Sequence, residues 1–447
     1  MPRLPSDIML WPDTERSKMA AWANNQAASG WSDEGMLAEQ IHQSSPDTPD
    51  GWTATNSGSG RHMGDSSSAF VIELLELYRW ANDTETLKLY YKTVKGVVKW
   101  QLNVSAAFGL PYRLETTYDL LGFPRFELAA YNSVFHIATL AAAAELAEAM
   151  GDAPFAAHCR TEQAAATSAF DILQWNASLN GYNAGSNNCT KGVGCLSEGP
   201  QATTGVFSDS FYAQVLAFSA GLGTLIAQPS RLLAHLATQM KHNCIHFECA
   251  NETLCPPLPG CPNGLVALTG PFFSPAENKH WRGTSGASIW EMSNPNHASL
   301  GIQMGQPVDE MLSVFEGSAT SYSRRFNDQW DTAGLKDSAG NPTCTSHYGM
   351  HMVAWHIPLA ISGQQAHLPN GSLTFAPKVK APYALPVLLP GLLGVLSSSV
   401  QGGYSLRLTV GELRLLSLEV DGTAAPGKTV WLVAGGPPVQ WGAALKG

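Results

Sequence analysis

The stretch Ser66-Ser67-Ser68-Ala69-Phe70-Val71-Ile72-Glu73-Leu74-Leu75-Glu76-Leu77-Tyr78 decides the fold class. Phe70, Ile72, Leu74, Leu75, Leu77 and Tyr78 recur at helical spacing behind serines able to cap a helix start, which predicts a buried helix over 66–81. A second helix opens at Thr84-Glu85-Thr86-Leu87 and runs through Trp100. With so short a link, the two must lie antiparallel. The unit recurs outward along the chain. Residues 128–150, rich in Ala and Leu, stop at Gly151-Asp152 and are followed by a helix ending near Trp175. A third pair spans 208–220 and 229–242, and further helices read at 306–327 and 345–361. Repeated helical hairpins predict a mainly α chain, an (α/α)6 toroid-type helical barrel over residues 1–365. No fixed-period repeat is visible, which argues against a solenoid of identical units.

Long stretches at 31–65, 103–127, 176–207 and 243–296, rich in Gly, Pro, Asn, Ser and Trp, read as loops whose aromatic content favours function. After residue 370 the period changes to two: 372–376, 404–410, 413–420 and 429–434 read as strands, with Asp421-Gly422 as a turn. Residues 366–447 are therefore expected to form a small C-terminal β module.

Charged residues are 14% of the 447 and Trp numbers 13, a profile that suits an aromatic-lined cleft. A formal charge of -10 offers no basic face for phosphates, so no nucleic-acid partner is expected. The longest apolar run, 384–396, is broken by prolines and glycines and is too short to span a bilayer, so no integral membrane segment is expected. The N-terminus lacks the apolar stretch of an export signal. Cysteine usage points the other way: Cys189 and Cys195 are a close pair, and Cys244, Cys249, Cys255 and Cys261 cluster where disulfides fit. Sequons at Asn82, Asn103, Asn176, Asn188, Asn251 and Asn370 agree with passage through a secretory lumen. A chain that begins partway into a longer protein reconciles the two.

Glycosidic hydrolysis needs one carboxyl to protonate the leaving oxygen and a second as nucleophile or base. The carboxylate in the most apolar setting is Asp209, in Phe207-Ser208-Asp209-Ser210-Phe211-Tyr212. On its residues alone it reads as a helix cap at the start of the 208–220 helix, where the dipole would favour its charged form. Resemblance moves it toward chemistry. Phe207-Ser208-Asp209, with Gln214 and Gly221-Leu222-Gly223, resembles the glycoside hydrolase family 116 segment in which the aspartate is the general acid/base. Thr117-Tyr118-Asp119 with Ala130-Tyr131-Asn132, Asp65, Leu173-Gln174-Trp175-Asn176 and Ile8-Met9-Leu10-Trp11-Pro12 are similar to that family's blocks in the same order, so the likeness covers about residues 8–361.

The resemblance implies a carbohydrate or glycolipid substrate, of β-glucoside or glucosyl-lipid type, and no cofactor. It places Asp209 as the catalytic acid, with Asp119, Glu115, Glu39, Tyr118 and His347 about the sugar. The sequence also departs from the family. The nucleophilic glutamate would fall upstream of Met1, and the family's His-Asp pair is replaced by Glu39-Gln40. An inverting scheme with Glu39 as base and a non-catalytic carbohydrate-binding barrel are the alternatives. Residues 103–109 carry no carboxylate where many relatives hold calcium, so no metal is expected there. His347 and His351 have the spacing of a zinc pair but lack an obvious third ligand, and cleft lining or packing is the favoured reading.

Overall fold

The computed structural model describes residues 5–27, 34–38, 40–43, 52–55, 63–116, 126–187, 189–191, 194–195, 205–242, 244–246, 266–268, 271–272, 289–290, 292–320, 335–336, 349–427 and 429–442. Its first part is helical: α1 Pro5–Leu10, α2 Pro12–Asn24, α3 Gly64–Ala81, α4 Thr84–Ser105, α5 Ala130–Ala149, α6 Ala153–Leu173, α7 Tyr212–Ser219, α8 Pro229–His242, α9 Ser293–Gln303, α10 Val308–Thr320 and α11 His356–Ser362. About half of the described residues are helical, and the C-terminal region is β-rich.

The hairpin logic of the sequence operates at α3 and α4. Asn82 closes α3 in the left-handed region at φ 54°, and the Asp83 side chain accepts the backbone N–H of Thr86 to start α4. Nearly every residue of α3 and α5 is buried, which marks them as inner helices. These two run parallel. At one end Gly64 meets Asn132, and at the other Arg79 donates to Glu145 at 2.7 Å. Arg79 also donates to the carbonyl of Ala220 at the end of α7, at 2.8 Å, while Phe135 near the start of α5 packs on Tyr212 at the start of α7. The beginnings of α3, α5 and α7 therefore gather at one end of the helical layer.

Several expectations needed correction. α4 continues past Trp100 to Ser105. The helix expected from Ser208 begins only at Tyr212, after a turn. α9 starts inside a stretch that reads as loop, because Ser293-Asn294-Pro295-Asn296-His297 offers no apolar face. The 306–327 helix is α10, and 321–327 lie outside the described residues. Residues Gly349–Trp355 form a 3-10 turn ahead of α11.

The C-terminal strands are β1 Gln365–His367, β2 Ser372–Phe375, β3 Tyr383–Leu389, β4 Leu392–Ser398, β5 Gly403–Val410, β6 Glu412–Leu415, β7 Ser417–Val420, β8 Thr423–Ala424, β9 Val430–Val433 and β10 Val439–Gly442. They form sheets ordered β1-β2-β7-β8, β3-β4-β5-β10 and β6-β9, with β2 and β7 parallel. The apolar run 384–396 is the β3–β4 hairpin. The single strand expected over 413–420 is two strands in different sheets. The break falls at Leu416, where the carbonyl of Gly371 accepts the N–H groups of both Leu416 and Ser417. Asp421-Gly422 forms the expected turn between β7 and β8, with φ of 49° and 74°.

This region is stitched to the helices. Gly363 ends α11 at φ 58°, with Ala376 so close that any side chain would collide with its carbonyl. The N–H of Lys378 donates to the carbonyl of Ile361, the Gln364 side chain bonds both N–H and C=O of Leu388, and Gln365 donates to Phe218 in α7. One apolar core runs from Ile8 through α3, α5 and α7 to Leu373, Leu396 and Trp441.

One part of the interior is acidic. Glu15 of α2 and Glu73 and Glu76 of α3 are all buried, and the Lys18 ammonium lies 2.7 Å from Glu15 and 3.2 Å from Glu73. Burial, reinforced by the charge of Glu73, pushes Glu15 up to about 8, and burial lifts Glu76 well above the carboxylate range. Burial alone would lower Lys18, but the charges of Glu73 and Glu15 outweigh it and hold the ammonium up.

Candidate functional site

Asp209 sits in the turn between strand Val206–Phe207 and α7. The turn is held by Ser210 N–H to the Phe207 carbonyl and Tyr212 N–H to the Asp209 carbonyl, both 3.1 Å. The N-cap of α7 is Phe211, and no side chain caps the helix. The capping reading of Asp209 therefore fails. Its carboxyl is only 1% exposed and accepts a 2.7 Å hydrogen bond from the amide of Asn296, in the first turn of α9. It is enclosed between the Asp209 turn and α9.

The surroundings are polar and buried. Asp65 at the start of α3, Asn132 at the start of α5, and Ser208, Ser293, Asn294, Asn296 and His297 near the turn and α9 are each 5% exposed or less. Inner-helix starts thus converge on this end of the molecule, and their dipoles favour an anion there. The next residue after Asn296 extends the grip. His297 Nδ1 meets Gln239 Oε1 at 3.0 Å, and Gln239 Nε2 donates to the Phe207 carbonyl at 2.8 Å. Two consecutive residues of α9 therefore fix Asp209 from both sides, one at its carboxyl and one through the strand that precedes it. Burial lowers His297 to about 4 and His235 of α8 to about 3, so both rings are neutral at pH 7.

Glu115 joins the same end of the fold. Its backbone pairs with Met63 just before α3, and its carbonyl accepts from Gly64 N–H and from the Asn132 amide at 3.0 Å. Asn132 is the neighbour of Tyr131, whose ring lies 6.3 Å from that of Phe207. The start of α5 thus touches both the Glu115 segment and the Asp209 turn. Tyr118, Asp119, Glu39 and His347 lie outside the described residues. Among the described residues no group of three or more His, Cys, Asp or Glu side chains is arranged to hold a metal, and no helix is long and apolar enough to cross a membrane.

Sequence reasoning missed Asn296 and His297. A signal for their helix was present: Pro295 suits a first helical turn, and Ala298 and Ile302 are spaced i, i+4. It was masked by five residues without an apolar side chain large enough to mark a buried face. A cavity of about 390 Å³ lies behind His297, between α8 and α10 and lined by Leu236, Met240 and Met311.

No protein-family model matches the sequence, and no curated protein matches it. Solved structures do match in fold. A family 78 rhamnosidase of a Bacillus species aligns with a TM-score of 0.52 at 14% identity, over 91% of this chain and 38% of that one. A sialidase aligns with a TM-score of 0.55 at 11% identity, over 89% of this chain and 34% of that one. A family 63 mannosylglycerate hydrolase from Thermus thermophilus aligns over 79% of this chain and 89% of that one, at 10% identity and a TM-score of 0.47. The chain spans well under half the length of the rhamnosidase and the sialidase. In fold, then, this chain is similar to glycoside hydrolases.

Proposed function

We propose that this chain is the catalytic region of a glycoside hydrolase acting on O-glycosyl bonds, with Asp209 as general acid/base. The observation that carries the reading is a carboxyl buried at the gathering point of the inner helix starts and held on both sides by one helix. As acid, Asp209 gives its proton to the glycosidic oxygen while the C–O bond breaks. A carboxyl excluded from bulk water and held by the Asn296 amide has a fixed position from which to hand over a proton. Glu115, whose segment meets α5 beside the Asp209 turn, is proposed near the sugar, with Asp119, Tyr118, Glu39 and His347 in the same role. The β-glucoside or glucosyl-lipid type of substrate rests on the resemblance to family 116.

The test is Asp209→Asn assayed on two β-glucosides. Turnover of an alkyl glucoside, whose leaving group needs a proton, should fall about 10²–10⁴-fold, and that of a nitrophenyl glucoside much less. Equal turnover by wild type and variant on the alkyl glucoside removes Asp209 from the role. Saturable sugar binding by a wild type that turns over neither substrate selects the carbohydrate-binding alternative.

A further inference from the structure

We propose that Asn296 partners Asp209 through both halves of a proton cycle, its amide NH₂ donating to the carboxylate and its amide oxygen, after a half-turn of the side chain, accepting from the carboxylic acid. The inference rests on the reading of Asp209 as acid/base and deepens it by naming the positioning residue that follows the proton.

The two ends of the Asn296 amide are in different situations. Nδ2 is 2.7 Å from Asp209 Oδ1, whereas Oδ1 is buried and takes no hydrogen bond. A buried carbonyl oxygen left without a donor is unfavourable by about 1–3 kcal/mol, so its presence calls for an explanation. The amide supplies one. Its oxygen and nitrogen are nearly the same size, so rotation about the terminal bond exchanges donor for acceptor at one point in space without repacking. A lysine or arginine there could only donate and would hold Asp209 in its ionised form. A carboxylate could pair only with the acid.

The backbone around this amide is fixed. Asn296 N–H donates to the Met292 carbonyl at 3.1 Å, and its neighbour His297 is tied through Gln239 to Phe207. The side chain can turn while both chain segments stay in place. Of the titratable groups on the neighbouring elements, Asp65 on α3 and Glu115 ahead of α5 lie at the same end of the fold, burial favours the neutral rings of His297 on α9 and His235 on α8, and Tyr131 on α5, Tyr212 on α7 and His356 on α11 supply aromatic rings around the turn.

The experiment uses the full chain with ¹³C-labelled Asp and ¹⁵N-labelled Asn. The Asp209 carboxyl resonance is assigned by its loss in Asp209→Asn, and the Asn296 amide by its loss in Asn296→Leu. The Asn296 ¹⁵N signal should titrate with the same midpoint as the Asp209 carboxyl. In Asn296→Leu that midpoint should rise by about one pH unit, a tenfold gain in proton affinity, because the charged form loses the stronger of its two hydrogen bonds. Asn296→Ser, whose hydroxyl offers both polarities, should recover part of the shift. An Asn296 signal that does not follow Asp209, or an unmoved midpoint in the leucine variant, overturns the proposal. If the leucine variant does not fold, the serine variant supplies the Asn296 assignment and the wild-type co-titration decides. Alkyl glucoside turnover measured in parallel separates the two claims: activity retained in Asp209→Asn defeats the acid/base reading while the co-titration stands.

Discussion

Two buried polar regions of this molecule treat charge in opposite ways. Where α2 packs on α3, Glu15, Glu73 and Glu76 crowd together with Lys18 as the nearby cation, and two of the three acids are raised far enough to hold protons. Where α7 meets α9, Asp209 is met by an amide, and the next groups along are another amide and neutral imidazoles. The first region neutralises its charge with protons and an ammonium. In the second, the group hydrogen-bonded to the carboxyl is an amide, which carries no charge. A buried carboxylate is therefore not by itself a sign of chemistry, and its partners distinguish the two cases.

Three measurements sharpen or break that contrast. The largest effect is expected for Lys18→Met, which strips the acidic region of its cation and should lower stability by about 3 kcal/mol in denaturant unfolding at pH 7. A change too small to resolve would mean that protons alone neutralise the cluster. Next comes Gln239→Leu, which removes one of the donors on the Phe207 carbonyl and leaves His297 Nδ1 without its Gln239 partner beside the Asp209 turn. We expect a loss of about 2 kcal/mol, read in the same unfolding experiment.

The smallest effect is in the pH profile of stability. Glu15 is raised from 4.5 to about 8, so its contribution is complete below about pH 4.5 and is lost as pH rises toward 8. His297, lowered from 6.5 to about 4, works in reverse: its contribution is present above pH 6.5 and is lost as pH falls toward 4. Glu15→Gln should flatten the decline that Glu15 contributes between about pH 4.5 and 8 and leave the profile below pH 4.5 unchanged. A profile that also moved below pH 4.5 would show the two regions to be coupled.

Much of the helical part was legible because its residues repeat one pattern. α3 carries an apolar face and a polar start, α5 is alanine-rich, and α8 has the bounds its sequence suggested. Legibility failed where burial is polar. α9 hides Ser293, Asn294, Asn296 and His297 inside the protein, and no rule based on apolar periodicity finds such a face. The same failure concealed half of the candidate site. Asp209 stood out in the sequence, but the group that holds it lies 87 residues away and comes into view only once the chain is folded. Strand boundaries slipped for another reason. Leu413–Val420 reads as one strand although its apolar positions change phase at Leu415-Leu416, and it is there that the competing acceptor at Gly371 turns the chain into another sheet.

The seam at Gly363 has a practical consequence for anyone who would treat the last eighty residues as a cassette. Gln364 supplies a strand-like pair of bonds to Leu388, Gln365 reaches back to Phe218, and Leu373 and Trp441 share their oily interior with α3 and α5. A recombinant version ending at α11 would leave bare apolar surface on the helices. Its transplanted counterpart would arrive at a new host with one side unfinished. Library designs that shuffle this protein should place their crossovers elsewhere.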